Sequence, residues 1–437
     1  MLPIPSLRSR ILHHKLTDPG AWQDRFVMWT AAGVAGLCVV GFTFLTDLAA
    51  GCFHFLLSVG AWMPFLVTPV GAMLVVWLTR RFAPGAAGSG IPQVMAGMSD
   101  AVAMTSVRHF VSVWLSLAKA LLGSLALAVG FSAGREGPSV QIAAGVMLGF
   151  RRWFSGRSYV TAQDLMLVGG AAGIAAAFNA PLAGVMFAIE ELSRRFEQRS
   201  SGLIVSAIIF AGLVSVAILG NFTYFGRINI TALPGQLFLP AVVCVILAGL
   251  LGGLFSRLLI LSSRGTNDRI SAFRNRHPIR FAGLCGLGLA ALGLVSHGAA
   301  YGSGYQYTHD VLNGSAPLPF LYVGVKFFAT WLTYWSGVPG GIFAPSLAVG
   351  AGLGNDVALL MHATPVPLIA LGMVGFLAAA TQAPITSFII VMEMIDGHAL
   401  VLSLMATALV ASLISKLISP PLYHSLCQLQ LMRMQKE

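Results

Sequence analysis

Charge is what this sequence has least of. Only 9% of its 437 residues are Asp, Glu, Lys or Arg, against about a quarter in an average soluble protein. With 57% hydrophobic residues and a mean hydropathy of +0.82, the chain has more apolar surface than a water-soluble core can hide. Strict apolar/polar alternation is also scarce, and the continuous apolar runs argue against a membrane β-barrel. Cysteine is sparse: Cys38, Cys52, Cys244, Cys285 and Cys427 are odd in number, scattered through mainly apolar sequence, and without metal-ligand spacing. Neither a disulfide framework nor a metal site is expected, and these thiols are read as buried and inert. His54, His109, His297 and His309 show no motif spacing with any nucleophile, which argues against an intramembrane enzyme. Residues 1–26 are polar and basic but have no short apolar core followed by a small-residue cleavage site. They read as an interfacial segment rather than a signal peptide, with Pro3, Pro5 and Pro19 limiting any helix.

What remains is an all-α polytopic membrane protein. Its 49 glycines and 21 prolines fit that class, since membrane helices tolerate both and use small residues for close packing. The formal charge of +11 is no nucleic-acid footprint, because the bases sit in short loops: Arg8–Lys15, Arg80–Arg81, Arg151–Arg157, Arg194–Arg199 and Arg257–Arg280. That distribution follows the positive-inside tendency and predicts a cytoplasmic N-terminus. Apolar segments run from Val27 to Ser419, and Pro64, Pro84, Pro181, Pro345, Pro365 and Pro384 interrupt them. Several fall short of the ~20 residues that span a bilayer. Uneven, broken helices of this kind mark transporters and channels whose half-helices aim their ends at a central site.

The sequence repeats itself. Ala180–Glu190 aligns with Ala383–Glu393 at a shift of 203, and Gly130, Gly134, Pro138 and Ser139 align with Gly337, Gly341, Pro345 and Ser346 at a shift of 207. Lys119 meets Lys326 at that second shift, and Gly88-Ser89-Gly90 is similar to Gly302-Ser303-Gly304. The organisation read from this is an N-terminal segment 1–26, a membrane repeat 27–261 and a polar connection 262–280. A second repeat, 281–421, and a C-terminal end, 422–437, complete it. A site is expected between the repeats, near the midplane.

Four short stretches carry chemistry. Gly134-Arg135-Glu136-Gly137-Pro138 places a carboxylate in apolar surroundings, where insertion costs roughly 2.5–3.5 kcal/mol unless it faces a cavity, a partner or an ion path. Gly88-Ser89-Gly90-Ile91-Pro92 offers a hydroxyl and unencumbered amides at a helix start. Gly341-Ile342-Phe343-Ala344-Pro345 has only the N–H groups of Ile342 and Phe343 to offer an ion. Tyr423 brings a phenolic donor, and serves equally well as an interfacial anchor. Glu190-Glu191 closes an apolar helix, either as a solvated end or as a loading point for protons. Lys119 and Lys326, embedded in apolar runs, are expected to pair with carboxylates or carbonyls.

Together these stretches resemble the CLC family of chloride channels and chloride/proton antiporters. The resemblance rests on GSGIP at 88–92, GREGP at 134–138, GIFAP at 341–345 and Tyr423, with support from 170–191 and 378–394. It implies an inverted-repeat helical bundle, assembled as a homodimer with one pore per subunit. It further implies central anion binding by Ser89, Ile342, Phe343 and Tyr423, a gating and proton glutamate at Glu136, and an intracellular proton glutamate at Glu191. Glutamate at 191 favours antiport over the alternative, a passive voltage- or pH-gated chloride channel; Ser89 favours chloride. The family's CBS domains are missing from this sequence, which implies a prokaryotic-type protein of the bacterial inner membrane. Chloride and protons are the expected cargo, with no cofactor and no nucleic-acid partner. Weak neutral donors suit that task, because they replace an ion's water without trapping it. Arg135, fully charged, is read as structural rather than as a ligand.

Overall fold

Proline placement decides where many of the helices begin. The computed structural model describes residues 19–156, 158–192, 201–220, 223–226, 235–265, 268–315, 318–319 and 321–435. Helices α1 Pro19–Val59, α2 Met63–Phe82, α3 Ile91–Gly97, α4 Val113–Ala128, α5 Glu136–Gly149 and α6 Ala162–Phe178 come first. α7 Pro181–Phe187, α8 Ser201–Leu219, α9 Phe238–Arg264 and the short α10 Arg269–Arg276 follow. The second half holds α11 Pro278–Val295, α12 Tyr305–Leu312, α13 Tyr322–Ser336, α14 Phe343–Leu360 and α15 Pro365–Thr381. It ends with α16 Pro384–Ile395, α17 Val401–Lys416 and α18 Leu422–Met434. Pro181, Pro278, Pro365 and Pro384 each stand in the first turn of a helix, where the missing N–H costs nothing and the fixed φ is already helical. The prolines that break the apolar runs are therefore mostly helix starts; Pro69, inside α2, is an exception.

Two sequence expectations change. Residues 1–18 of the N-terminal segment lie outside the described residues, and Pro19 already opens α1, so the boundary at residue 27 falls inside one continuous helix of 41 residues. Cys244, Cys285 and Cys427 are buried as expected, but Cys38 and Cys52 are exposed. Both lie on α1, a helix that also exposes Phe44, Leu48 and Phe55. A thiol is apolar enough to face lipid there.

Among the described residues, eight helices are long and apolar enough to cross a membrane: α1, α2, α4, α8, α9, α11, α14 and α17, some with a 3-10 turn leading in. α6 and α15 have 17 residues each, about 26 Å at 1.5 Å per residue, short of a hydrocarbon core of about 30 Å. Their length is tolerable because they do not face lipid. Nearly every residue of both is buried, as expected of helices apolar all round. α6 packs on α5, and α15 on α14, through small residues. A Cβ on Gly350 would strike the carbonyl of Gly372, and one on Gly372 the carbonyl of Gly350.

The halves are built alike, in detail. α6 and α15 end on Asn179 and Gln382, both left-handed with φ of 55° and 61°. Lys119 on α4 donates to the carbonyls of Ala86 and Gly88, and Lys326 on α13 to those of Ala300, Tyr301 and Gly302. Of the two partners foreseen for these lysines, carbonyls are the ones found. The carboxylate of Glu190 accepts from the amides of Ile385 and Thr386 at the head of α16. The carboxylate of Glu393 accepts from those of Leu182 and Ala183 at the head of α7. Each repeat thus caps a helix of the other with a charge-assisted bond, each typically worth about 1.5–3 kcal/mol. Glu190 is no solvated helix end.

Gly350→Val should overpack the α14–α15 contact by about 1–3 kcal/mol or more. Thermal unfolding of the purified protein in detergent should show a clearly lowered midpoint. Gly324→Ala on α13, where no atom lies within 4 Å of the added methyl, should melt unchanged or slightly higher.

Candidate functional site

The site is assembled from loops that hold one another by backbone hydrogen bonds. Gly134 N donates to Gly341 O and Gly341 N to Gly134 O, both at 2.8 Å, an isolated antiparallel bridge between the repeats. Gly340 N donates to Gly88 O at 3.1 Å, which draws in the Gly-Ser-Gly loop. The same carbonyl receives Lys119 Nζ at 2.5 Å. Gln93 closes the loop on itself: its Oε1 accepts from Gly90 N at 3.0 Å, and its Nε2 donates to Ala87 O. Three motifs far apart in sequence therefore form one rigid cluster, and small residues permit it. A Cβ on Gly137 would fall against Ser89 Oγ.

Into this cluster the chain points polar groups left without partners. Ser89 and Tyr423 are 2% and 0% exposed, yet neither hydroxyl has a hydrogen-bond partner. They lie close enough to interact electrostatically, though outside hydrogen-bond geometry. Tyr423, in the first turn of α18, stacks on Phe343 with ring centroids 6.0 Å apart and planes 12° apart. Ile342 and Phe343 stand at the N-terminus of α14, whose first amides have no acceptor within the helix. Two buried hydroxyl donors and a helix N-terminus offer hydrogens and a partial positive charge from several directions. An unpaired buried hydroxyl costs about 1–3 kcal/mol, and a small anion is the guest that would relieve it.

The Glu136 carboxyl already reaches that helix start. It is fully buried, its Oε2 accepts from Ala344 N in the first turn of α14 at 3.4 Å, and its Oε1 has no partner. On its outer side lies a cavity of about 510 Å³ whose lining includes Asp47, Arg135, Glu136, Tyr224, Ser303 and Tyr305. Ser89 and Tyr423 are not part of that lining, so Glu136 stands between the cavity and the two hydroxyls. Arg135 turns outward. Its Nη1 pairs with Asp47 at 2.7 Å, its Nη2 donates to Tyr224 Oη at 3.4 Å, and its guanidinium sits 5.6 Å from the Tyr224 ring centre.

Glu191 occupies a π-helical turn, Ala188–Leu192, that ends α7. π-turns often occur at functional sites because they re-aim one side chain against the helical register. Here adjacent glutamates part: Glu190 caps α16, while half-buried Glu191 lies within electrostatic reach of Tyr423. Ser89, Glu136, Ile342, Phe343 and Tyr423 are thus brought together, with Glu191 in electrostatic reach of Tyr423. Sequence reasoning missed Asp47, the counter-ion of Arg135, and Gln141, whose amide donates to Gly85 O and Phe110 O. An aspartate within the long apolar run 27–59 was the available signal for the first.

Comparison with known proteins places these features in context. The family model for the voltage gated chloride channel matches residues 71–416. The H(+)/Cl(-) exchange transporter ClcA of Klebsiella pneumoniae is 32% identical over 400 residues, covering 86% of this chain and 80% of that protein. The protein of the same name from Yersinia pestis is 32% identical over 382 residues, covering 83% and 77%. Among solved structures, a slow cyanobacterial Cl-/H+ antiporter aligns with a TM-score of 0.80 at 24% identity, over 94% of this chain and 99% of that one.

Tyr423→Phe should leave thermal stability in a gluconate buffer within about 1 kcal/mol of the parent, because the lost hydroxyl had no partner. It should also remove most of the stabilisation gained on replacing gluconate by chloride, since ligand binding stabilises by mass action. An undiminished chloride effect would take Tyr423 out of the anion site.

Proposed function

The chain belongs to the voltage gated chloride channel family, and from that premise we propose that it is a secondary-active antiporter exchanging chloride for protons. The observation that carries this reading is the Glu136 carboxylate, fully buried at the head of α14 between an open cavity and two unpartnered hydroxyls. Chloride is bound by the Ser89 and Tyr423 hydroxyls and the Ile342 and Phe343 amides. Ionised, Glu136 competes for that place and closes the path; protonated, it leaves the helix end and admits the ion. A proton on Glu136 and a chloride at the site therefore favour each other, and linkage makes the factor equal in both directions. Glu191, beyond Tyr423, delivers protons from the inner side, so proton and chloride share Glu136 but enter past different residues. Asp47 neutralises Arg135, so the mouth of the path does not trap an anion on a full positive charge.

The protein is integral to the membrane, in bacteria the inner membrane. We read it as a homodimer with one pore per subunit, the two inverted repeats lying on either side of the connection 262–280 and the first opening with α1. The exposed apolar side chains Leu182, Ile385, Leu402 and Leu413 on the packed group α7, α16 and α17 support such an interface.

In liposomes under a chloride gradient, the reversal potential should depart from the chloride equilibrium value and shift with an imposed pH gradient. A value pinned at chloride equilibrium and indifferent to pH would identify a passive channel. Glu136→Gln should still pass chloride but show no proton movement against a pH-sensitive dye; persistent coupled protons would remove Glu136 from its role. Glu191→Ala should also uncouple protons while chloride flux remains, and full coupling there would reduce Glu191 to a helix end.

A further inference from the structure

About 15 Å along α18 from Tyr423, two arginines from distant parts of the chain meet at the C-terminal end of α9, with a third in their neighbourhood. Arg274 of α10 donates to Ser262 O, and Arg433 of α18 donates to the neighbouring Ser263 O. Arg80, at the end of α2, is near enough that its repulsion, like that of Arg433, is felt at Arg274. A helix C-terminus presents about half a negative charge, which cannot balance three guanidiniums. Among the described residues none of the three forms an ion pair. The stretch 257–280 carries six arginines against one acidic residue, Asp268. Arg264, Arg269, Arg276 and Arg280 stand exposed around the cluster.

The surroundings identify the missing counter-charge. α10 lies between two membrane-crossing helices, α9 and α11, and so rests at the membrane surface, on the arginine-rich side that the positive-inside tendency makes cytoplasmic. Next to Arg269 it exposes Ile270, at 52%, with Phe273 half-buried one turn on. A short helix showing guanidiniums and an aliphatic side chain together suits a surface with phosphate above and acyl chain below. A soluble phosphate has no use for the isoleucine.

We propose that Arg80, Arg274 and Arg433 bind the headgroup phosphate of an anionic phospholipid in the cytoplasmic leaflet. Through Arg433 the bound lipid pins the far end of α18, the helix whose first turn carries Tyr423. The two residues lie ten positions apart on α18, about 15 Å along its axis, so the lipid steadies a helix that enters the anion site. The lipid site stands without the antiport reading, because its first readout is binding.

The test is native mass spectrometry of the purified protein with added phosphatidylglycerol or phosphatidylcholine. Phosphatidylglycerol should be retained selectively, and Arg80→Gln and Arg433→Gln should each lower that retention by roughly five-fold. Arg274→Gln removes a cap of α9 and can fail to fold, whereas Arg80 donates no hydrogen bond among those described, so its substitution keeps the test sharp. Arg151→Gln and Arg152→Gln, exposed arginines on another turn, serve as charge controls and should retain the lipid as the parent does. Equal losses in the controls, or equal retention in all variants, would overturn the site. Displacement of the lipid by millimolar inorganic phosphate or ATP would overturn the lipid as its occupant. In liposomes, replacing phosphatidylglycerol by phosphatidylcholine should slow chloride flux in the parent and have little effect in Arg80→Gln.

Discussion

Two hydrogen bonds between Gly134 and Gly341 hold the centre of this protein. They join the loops that open α5 and α14, so the helix starts of the two repeats meet head to head. Each start brings the partial positive charge of its unpaired amides, and bringing two together is unfavourable until something negative lies between them. The Glu136 carboxyl, which accepts from Ala344 N, is placed to supply that charge when ionised. The closeness of the loops also explains the glycines, since a side chain at 137 would occupy the place of the Ser89 hydroxyl. The donors gathered here are backbone amides and hydroxyls rather than cationic side chains.

The bilayer imposes the rest. With no water at depth, buried polar groups must find partners in the chain, and the two repeats solve this in parallel ways. Lys119 and Lys326 spend their charge on carbonyls, and Glu190 and Glu393 spend theirs on amides of the opposite repeat. Arg135 is steered outward to Asp47. Among the buried groups left without partners are the hydroxyls of Ser89 and Tyr423 and one oxygen of Glu136, which come together where the two repeats meet. The symmetry ends there too, because Phe343 occupies in the second repeat the position that Glu136 occupies in the first.

Much of this was legible in the sequence, and for identifiable reasons. Low charge and long apolar runs fix a helical membrane protein, because only helices and closed barrels satisfy backbone groups in lipid. GSGIP, GREGP and GIFAP were visible because glycine, proline and one stray carboxylate are conspicuous in apolar surroundings. The repeat was visible because prolines and lysines kept their spacing. Prolines did mark the breaks between helices, but a residue that cannot sit mid-helix is equally suited to a helix start, and the sequence does not say which side is helical. The lipid-facing Cys38 and Cys52 were misread because in a membrane the outside is as apolar as the core.

The sequence alone determined the class of protein, the repeat and the residues able to serve an anion, since composition and spacing are local properties. It could not tell that Glu190 and Glu191, adjacent and identical, part company, one bound to the opposite repeat and the other in electrostatic reach of Tyr423. It could not pair Arg135 with Asp47, 88 positions away, nor bring Arg274 and Arg433 to one helix end. Those assignments depend on which helices lie side by side. That is settled by close packing across glycines and by the need to satisfy every buried charge at once, and only the tertiary structure settles it.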